Sequence, residues 1–236
     1  MTEIVAHDDA YLRELESVVQ AVRAEGVVLD RTVFYPGGGG QPPDTGVLAS
    51  GDAEYRVDGL RRIDGALVHL IDGQAPAEGQ TVRGAVDWER RYQLMRTHTA
   101  LHILCGVIWR DFGVLVTGGN MQPLKARMDF ELPHMSSDFA DRVEQSINEE
   151  VAAERDIAIG ELAREEAMQV PDLIRTKINL LPPQIKVVRT VEIVGLDLQA
   201  DGGTHVANTR EVGRIRVVGH ESKGRGNKRL RIALDP

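Results

Sequence analysis

Apolar positions along this chain recur with two different spacings, and the change falls near residue 87. Before it, the apolar runs are short: Val27-Val28-Leu29, Val33-Phe34-Tyr35, Gly46-Val47-Leu48, Tyr55-Arg56-Val57 and Leu67-Val68-His69-Leu70-Ile71. Between them lie Pro36-Gly37-Gly38-Gly39-Gly40, Ser50-Gly51-Asp52, Ile63-Asp64-Gly65 and Asp72-Gly73, all residues that favour turns. Runs of this kind predict strands, and many in succession predict a small barrel-like β domain. Residues 11–22 stay open between two readings. Leu12, Leu15, Val18, Val19 and Val22 fit a helical stripe, while Val18-Val19 fit a strand equally well.

After Asp87-Trp88-Glu89-Arg90 the spacing lengthens. Leu94, Leu101, Leu104, Cys105 and Ile108 predict a helix over residues 90–110. A glycine-rich stretch holding Phe112-Gly113 and Thr117-Gly118-Gly119-Asn120 leads into a strand at 126–130. Phe139, Val143, Ile147 and Val151 recur every four residues and predict an amphipathic helix over 137–155, capped by Ser136 or Ser137. Residues 157–159, 186–193, 213–218 and 230–234 read as strands, and 161–170 as a short helix. Helices and strands alternate too irregularly for a doubly wound sheet, so the expected class is α+β. The expected division is an N-terminal β domain over 1–89 and an α+β domain over 90–236.

Charge refines this picture. The formal net charge of -8 argues against a nucleic-acid partner until its distribution is read. Residues 1–90 hold 8 Lys/Arg against 16 Asp/Glu, whereas residues 91–236 balance at 20 and 20. Within residues 209–231 stand eight cations (Arg210, Arg214, Arg216, Lys223, Arg225, Lys228, Arg229 and Arg231) against Glu211 and Glu221. Such a strip either engages phosphates whatever the global sign or is a solvated strand face. Cys105 is the only cysteine, so no intrachain disulfide exists. No apolar run approaches the ~20 residues of a membrane span. The N-terminus has no basic segment followed by an apolar one. The expectation is a cytosolic protein with no membrane partner.

The candidate chemistry lies in divided histidines. His98 and His102 stand four apart in the expected helix and share a face. Asp201 and His205, also four apart, flank a Gly202-Gly203 that permits a sharp bend. Three imidazoles and a carboxylate suit zinc. The alternatives are surface or core histidines and an ordinary Asp-Gly-Gly turn. A zinc peptidase is disfavoured, since its helix needs Glu directly after the first histidine and Thr99 stands there. Cys105 reads as core, while His69 and His134 have no paired partner, and His7 and His220 carry no signal. The Gly37–Gly40 run lacks the Gly-Lys-Ser/Thr ending of a nucleotide-phosphate loop, so an ATP-independent protein is expected.

Three segments carry a resemblance. Phe34-Tyr35-Pro36 with Gly39-Gly40-Gln41-Pro42-Pro43-Asp44-Thr45-Gly46, Arg96-Thr97-His98-Thr99-Ala100-Leu101-His102, and Gly202-Gly203-Thr204-His205-Val206-Ala207-Asn208-Thr209 resemble the editing modules of alanyl-tRNA synthetase, and Glu221-Ser222-Lys223-Gly224 continues the likeness. With no aminoacylation domain in its 236 residues, the chain is similar to the freestanding AlaX proteins of medium length. The resemblance implies a β-barrel-like N-terminal domain, then an editing domain with an antiparallel sheet packed against helices. It implies hydrolysis of mischarged tRNA(Ala), chiefly Ser-tRNA(Ala) and also Gly-tRNA(Ala). His98, His102 and His205 match the family's zinc ligands, whereas Asp201 stands where the family has cysteine.

That departure keeps a negative charge but replaces a soft donor with a hard one. Asp201 is then expected as a ligand or its immediate neighbour. Discrimination against alanine calls for a polar group that senses the serine hydroxyl. Thr117 is the first candidate from its place in the family, Gln41 the second, and Thr97 and Thr99 weaker ones. The cations Arg210, Arg214, Arg216, Lys223, Arg225, Lys228 and Arg229 are expected to hold the tRNA backbone. Two rival readings remain: an editing hydrolase for another mischarged tRNA, and a non-catalytic tRNA- or metal-binding module.

Overall fold

The computed structural model describes every residue except Met1, 133–135, 178–180, 182–183 and Arg225. Its contacts divide it into two units, Met1–Gln93 and Leu94–Pro236. No helix among the described residues is long and apolar enough to cross a membrane.

The strands of the first unit are β1 (Glu3–Ile4), β2 (Glu14–Arg23), β3 (Gly26–Leu29), β4 (Arg31–Thr32), β5 (Gly46–Ser50), β6 (Ala53–Val57), β7 (Gly59–Ile63), β8 (Ala66–Leu70) and β9 (Thr81–Val86). Seven of them form one antiparallel sheet in the order β6-β5-β9-β2-β3-β8-β7. The ambiguous residues 11–22 are therefore largely strand, and Leu15, Ser17 and Val19 point alternately inward along β2. The first half of β2 pairs with β9 and the second half with β3, across a register shift between Val19 and Ala21. This change of partner curls the sheet into a half-barrel. No ladder joins β6 to β7 among the described residues, so the expected barrel stays open. Its concave side packs Val19, Leu29, Leu48, Leu60 and Val82 around Phe34.

Val33-Phe34-Tyr35, expected as strand, is buried but irregular. Side chains replace the ladder there: the Thr32 hydroxyl accepts the Phe34 N–H at 3.1 Å and Asp44 accepts the Tyr35 N–H at 2.6 Å. Next to it, Gly37, Gly38, Gly39 and Gly40 all take positive φ (84°, 142°, 58° and 90°), a run that only glycine adopts without strain. The loop closes on itself, because Gly38 and Gln41 exchange both backbone hydrogen bonds at 2.9–3.0 Å.

A buried polar group gives this unit a pH dependence. In β8, His69 Nδ1 faces the Val27 carbonyl at 3.3 Å, which can only accept, so Nε2 receives the Thr32 hydroxyl proton at 2.7 Å. Burial pushes the imidazole down to about 4, against partial opposition from the Val27 carbonyl. Between the ordinary value of 6.5 and about 4, the unfolded chain binds a proton that the folded chain refuses. His69 therefore favours the fold fully above that window and progressively less as pH falls through it. The full loss is on the order of 3 kcal/mol. Urea midpoints of the protein and of His69→Gln between pH 7 and 4 should diverge in slope; parallel curves would exclude this.

The second unit contains most of α1 (Trp88–Phe112), then β10 (Val116–Gln122), β11 (Lys125–Phe130), α2 (Ser137–Ala152), β12 (Ile157–Ala163), α3 (Arg164–Ala167), β13 (Val187–Ile193), β14 (Asp197–Ala200), β15 (Ile215–Ser222) and β16 (Lys228–Leu234). Two antiparallel sheets result, β10-β11-β16-β15 and β12-β13-β14. The α+β class is thus correct. The helix expected over 161–170 shrinks to α3, because residues 161–163 extend β12 against β13. Ser136 caps α2, its hydroxyl accepting the Phe139 N–H at 3.2 Å. From α2, Asn148 bonds both backbone groups of Ile215 at 2.7 and 3.0 Å, and Glu144 accepts the Val217 N–H at 2.7 Å.

Candidate metal centre

Residues 100–108 of α1 are buried without a break, so this stretch of helix is enclosed rather than half-exposed. His98 and His102 therefore project into the interior of the second unit. The other two members arrive from β14. Arg189 on β13 accepts the Asp201 N–H at 3.1 Å through its carbonyl. Its guanidinium donates to the Asp201 and Gly203 carbonyls at 3.1 and 3.0 Å. Asp201 Oδ2 accepts the Gly203 N–H at 2.6 Å, closing the bend. Gly202 and Gly203 do not take positive φ, so this side-chain bond, and not glycine's special backbone freedom, makes the turn. Thr99 fastens the bend to α1: its Oγ1 accepts the Val206 N–H at 3.3 Å and bonds His205 Nδ1 at 3.1 Å.

One donor atom from each of His98, His102, Asp201 and His205 lies within 4.8 Å of all the others. His205 Nε2 stands 3.1 Å from Asp201 Oδ2, and His98 Nε2 stands 3.6 Å from Asp201 Oδ1. The His98 and His205 rings stack with centroids 4.3 Å apart, and His102 meets His205 edge-on at 4.7 Å. Burial holds the His98 imidazole well below its usual range and pushes His205 down to about 4. Burial opposes the Asp201 charge, but the flanking His98 and His205 rings outweigh it and hold the carboxyl well below its usual range. At neutral pH His98 and His205 thus offer nitrogen lone pairs and Asp201 a carboxylate, the protonation states a cation requires. The group can hold a metal ion.

Thr117 sits exposed on β10, its hydroxyl donating to Asn227 Oδ1 at 2.8 Å. The glycine-rich stretch was not expected to be strand, because residues without side chains cannot show alternation. Gln41 is buried in the first unit, in the closed glycine loop. Thr97 is buried with its hydroxyl accepting the Leu124 N–H at 2.9 Å. Cys105 is core as expected, its thiol pushed up by burial, though it lies against the charged Asp197 and the amide of Gln199. His69 is the structural residue described above. His7 meets the Tyr35 ring edge-on, and His220 is exposed on β15. His134 lies outside the described residues.

The cations of residues 209–231 are not a free strip. Arg210 faces Glu154 at 3.7 Å, Arg214 faces Glu144 at 3.9 Å, and Arg216 faces Asp235 at 3.0 Å, all three largely exposed. Lys223 pairs with Glu221 at 3.3 Å. Arg229 is fixed on Asp129 at 2.7 Å, and Arg231 pairs with Glu221. Lys228 is buried, with Nζ donating to Ser222 Oγ and the Gly224 carbonyl. Arg225 lies outside the described residues. Sequence reading missed Arg189 and Asp197, since an arginine within a strand and a lone aspartate between leucines carry no motif.

Comparison with known proteins accounts for both units. Residues 3–90 match the family model described as tRNA synthetases class II (A). Residues 188–231 match the one described as Threonyl and Alanyl tRNA synthetase second additional domain, and that span includes Asp201 and His205. Both units thus contain a segment of synthetase-associated type. The chain is 39% identical over 239 residues to the alanyl-tRNA editing protein AlaX-M of Saccharolobus solfataricus, covering all of both chains. It is 37% identical over 241 residues to AlaX-M of Methanosarcina barkeri, covering 99% of each. It is also 37% identical over 223 residues to the alanine–tRNA ligase of Ignicoccus hospitalis, matching 92% of this chain but 24% of the ligase. The chain belongs to the AlaX family of alanyl-tRNA editing proteins.

Proposed function

We propose that the protein is a trans-editing hydrolase that deacylates mischarged tRNA(Ala), chiefly Ser-tRNA(Ala) and secondarily Gly-tRNA(Ala), with zinc as its cofactor. The observation that carries this reading is the buried group of His98, His102, Asp201 and His205, in a chain that matches AlaX-M along its whole length. In this reading the second unit houses the chemistry and the first unit is the accessory β domain.

The reaction is ester hydrolysis. Water adds to the aminoacyl carbonyl carbon, the bond to the ribose oxygen breaks, and the ribose hydroxyl leaves with a proton. Zinc, when bound, would polarise the ester carbonyl as a Lewis acid. The chain's own part is positional. His98, His102 and His205 present ring nitrogens, and Asp201 adds the charge that keeps the cation in place. Of its two oxygens, Oδ2 is committed to Gly203, which leaves Oδ1 as the freer donor. Arg189 and Thr99 hold the Asp201–His205 bend so that these groups are preorganised.

Selection of serine over alanine is assigned to Thr117. Its hydroxyl proton is spent on Asn227, so its oxygen is free to accept from a serine side chain, while a methyl group would leave it unpaired. Thr97 and Thr99 have their oxygens committed to backbone N–H groups. The exposed Arg210, Arg214 and Arg216 are assigned to the tRNA phosphates, exchanging their present carboxylate partners for the nucleic acid.

One assay tests the whole reading: turnover of Ser-tRNA(Ala) and Ala-tRNA(Ala) with and without chelator, for the protein and Thr117→Val. Serine release should stop on chelation and return with zinc. The Ser/Ala ratio should fall at least ~10-fold in Thr117→Val. Undiminished turnover in chelator removes the metal reading, and an unchanged ratio removes Thr117.

A further inference from the structure

Behind the clustered side chains lies a second buried carboxylate. Asp197 opens β14, and its side chain is wholly buried. Oδ1 accepts from Arg175 Nε and Nη2, each at 3.3 Å, and Oδ2 accepts from the Gln199 amide. Beyond Gln199, Oδ2 faces His102 Nδ1 at 4.0 Å. That nitrogen is one of the few buried polar atoms among the described residues with no hydrogen-bond partner. An orphaned buried polar atom calls for an explanation.

Two features of α1 show that this approach is built. Gly106 is one turn beyond His102, and a Cβ there would stand 3.0 Å from Asp197 Cβ and 3.0 Å from Leu196 Cγ. Glycine at this position is what lets the start of β14 come up against the helix. Trp109, seven residues after His102 and so on the same face, carries the Arg175 guanidinium 4.6 Å above its ring. Helix, arginine and strand together fix the Asp197 carboxylate beside the ring of His102.

We propose that Asp197 is a positioning residue for the metal centre: its Oδ2 takes the Nδ1–H of His102, which fixes the tautomer and orients Nε2 toward the other donors. The inference rests on reading His98, His102, Asp201 and His205 as a metal site. A hydrogen bond of ~2.9 Å requires the two atoms to approach by about 1 Å, a shift that rotation of the imidazole ring supplies. Metal-bound histidines generally give their second N–H to a carboxylate or carbonyl, which raises their basicity as ligands. Arg175 alone would satisfy an aspartate whose role was only structural, so the distinguishing quantity is metal affinity.

The experiment uses the full chain and zinc as the probe. Zinc dissociation constants would be measured by chelator competition for the protein, Asp197→Asn and Gly106→Ala. Cobalt(II) spectra and melting curves of the metal-free proteins would accompany them. Asp197→Asn should bind zinc ~10–100-fold more weakly and alter the cobalt spectrum. Gly106→Ala keeps the Asp197–Arg175 pair and improves helix propensity, yet should weaken zinc in the same direction by displacing the carboxylate. If Asp197→Asn does not fold, Gly106→Ala decides the matter alone. A lowered melting temperature with wild-type zinc affinity and spectrum would overturn the proposal, as would unchanged affinity in Gly106→Ala. Absence of zinc binding by the unmodified protein would overturn the metal reading itself, which is a separate outcome.

Discussion

On the proposed function, His98→Ala is expected to bind no zinc and to deacylate Ser-tRNA(Ala) ~10³-fold more slowly, the equivalent of about 4 kcal/mol of transition-state stabilisation. The size follows from what this imidazole does in the buried group. Its Nε2 faces Asp201 Oδ1 at 3.6 Å and its ring stacks on His205. Without it, two histidines and one carboxylate remain, so the cation loses one of its four candidate protein donors. Asp201→Ala should show a smaller loss than His98→Ala, and Asp201→Cys should retain both metal and activity, since a thiolate restores the charge and is a good zinc donor. Metal analysis and single-turnover deacylation would be read side by side. A His98→Ala protein with full zinc content and full rate would end the assignment.

The second large effect lies in the first unit, where Arg91 is completely buried at the start of α1. It donates Nε to Asp44 Oδ2 at 2.8 Å, and Nη2 also contacts that oxygen. It gives further hydrogen bonds to the Ala10 carbonyl at 2.9 Å and the Val33 carbonyl at 2.8 Å. The same Asp44 oxygen accepts the Tyr35 N–H. Asp44→Ala leaves a buried cation without its anion and a buried N–H without its acceptor. Breaking such a pair from one side costs about 3–5 kcal/mol, a large part of the roughly 5–15 kcal/mol that keeps a domain folded. Urea unfolding should show that loss, and the double variant Asp44→Ala, Arg91→Met should regain part of it. A loss below about 1 kcal/mol in Asp44→Ala would contradict the argument.

The pair also shows where sequence reading reaches and where it stops. Asp44 stood in a recognisable segment, Gln41-Pro42-Pro43-Asp44-Thr45-Gly46, yet nothing in that segment said that its partner would come from residue 91. The histidines were legible because helical spacing alone puts His98 and His102 on one face. Their meeting with Asp201 and His205 depends on β14 and on the grip of Arg189, which are tertiary facts. Periodicity found α1 and α2 because their apolar stripes are long. It failed at Val33-Phe34-Tyr35, whose backbone groups bond side chains and not a neighbouring strand. It failed too at β10, where glycine erases the pattern, and at Asp197, whose meaning lies in Gly106 and Arg175.

The attachment of α2 to β15 has a consequence for association. A strand at the border of a sheet presents unused peptide groups on which a strand from another molecule can grow. Asn148 and Glu144 occupy those groups at Ile215 and Val217. Two polar side chains thereby stand in for a missing fifth strand along this stretch and deny it to any intruding chain. No proline stands at either residue, and the only break in the pairing of β15 with β16 is the register shift between Val217 and Gly219.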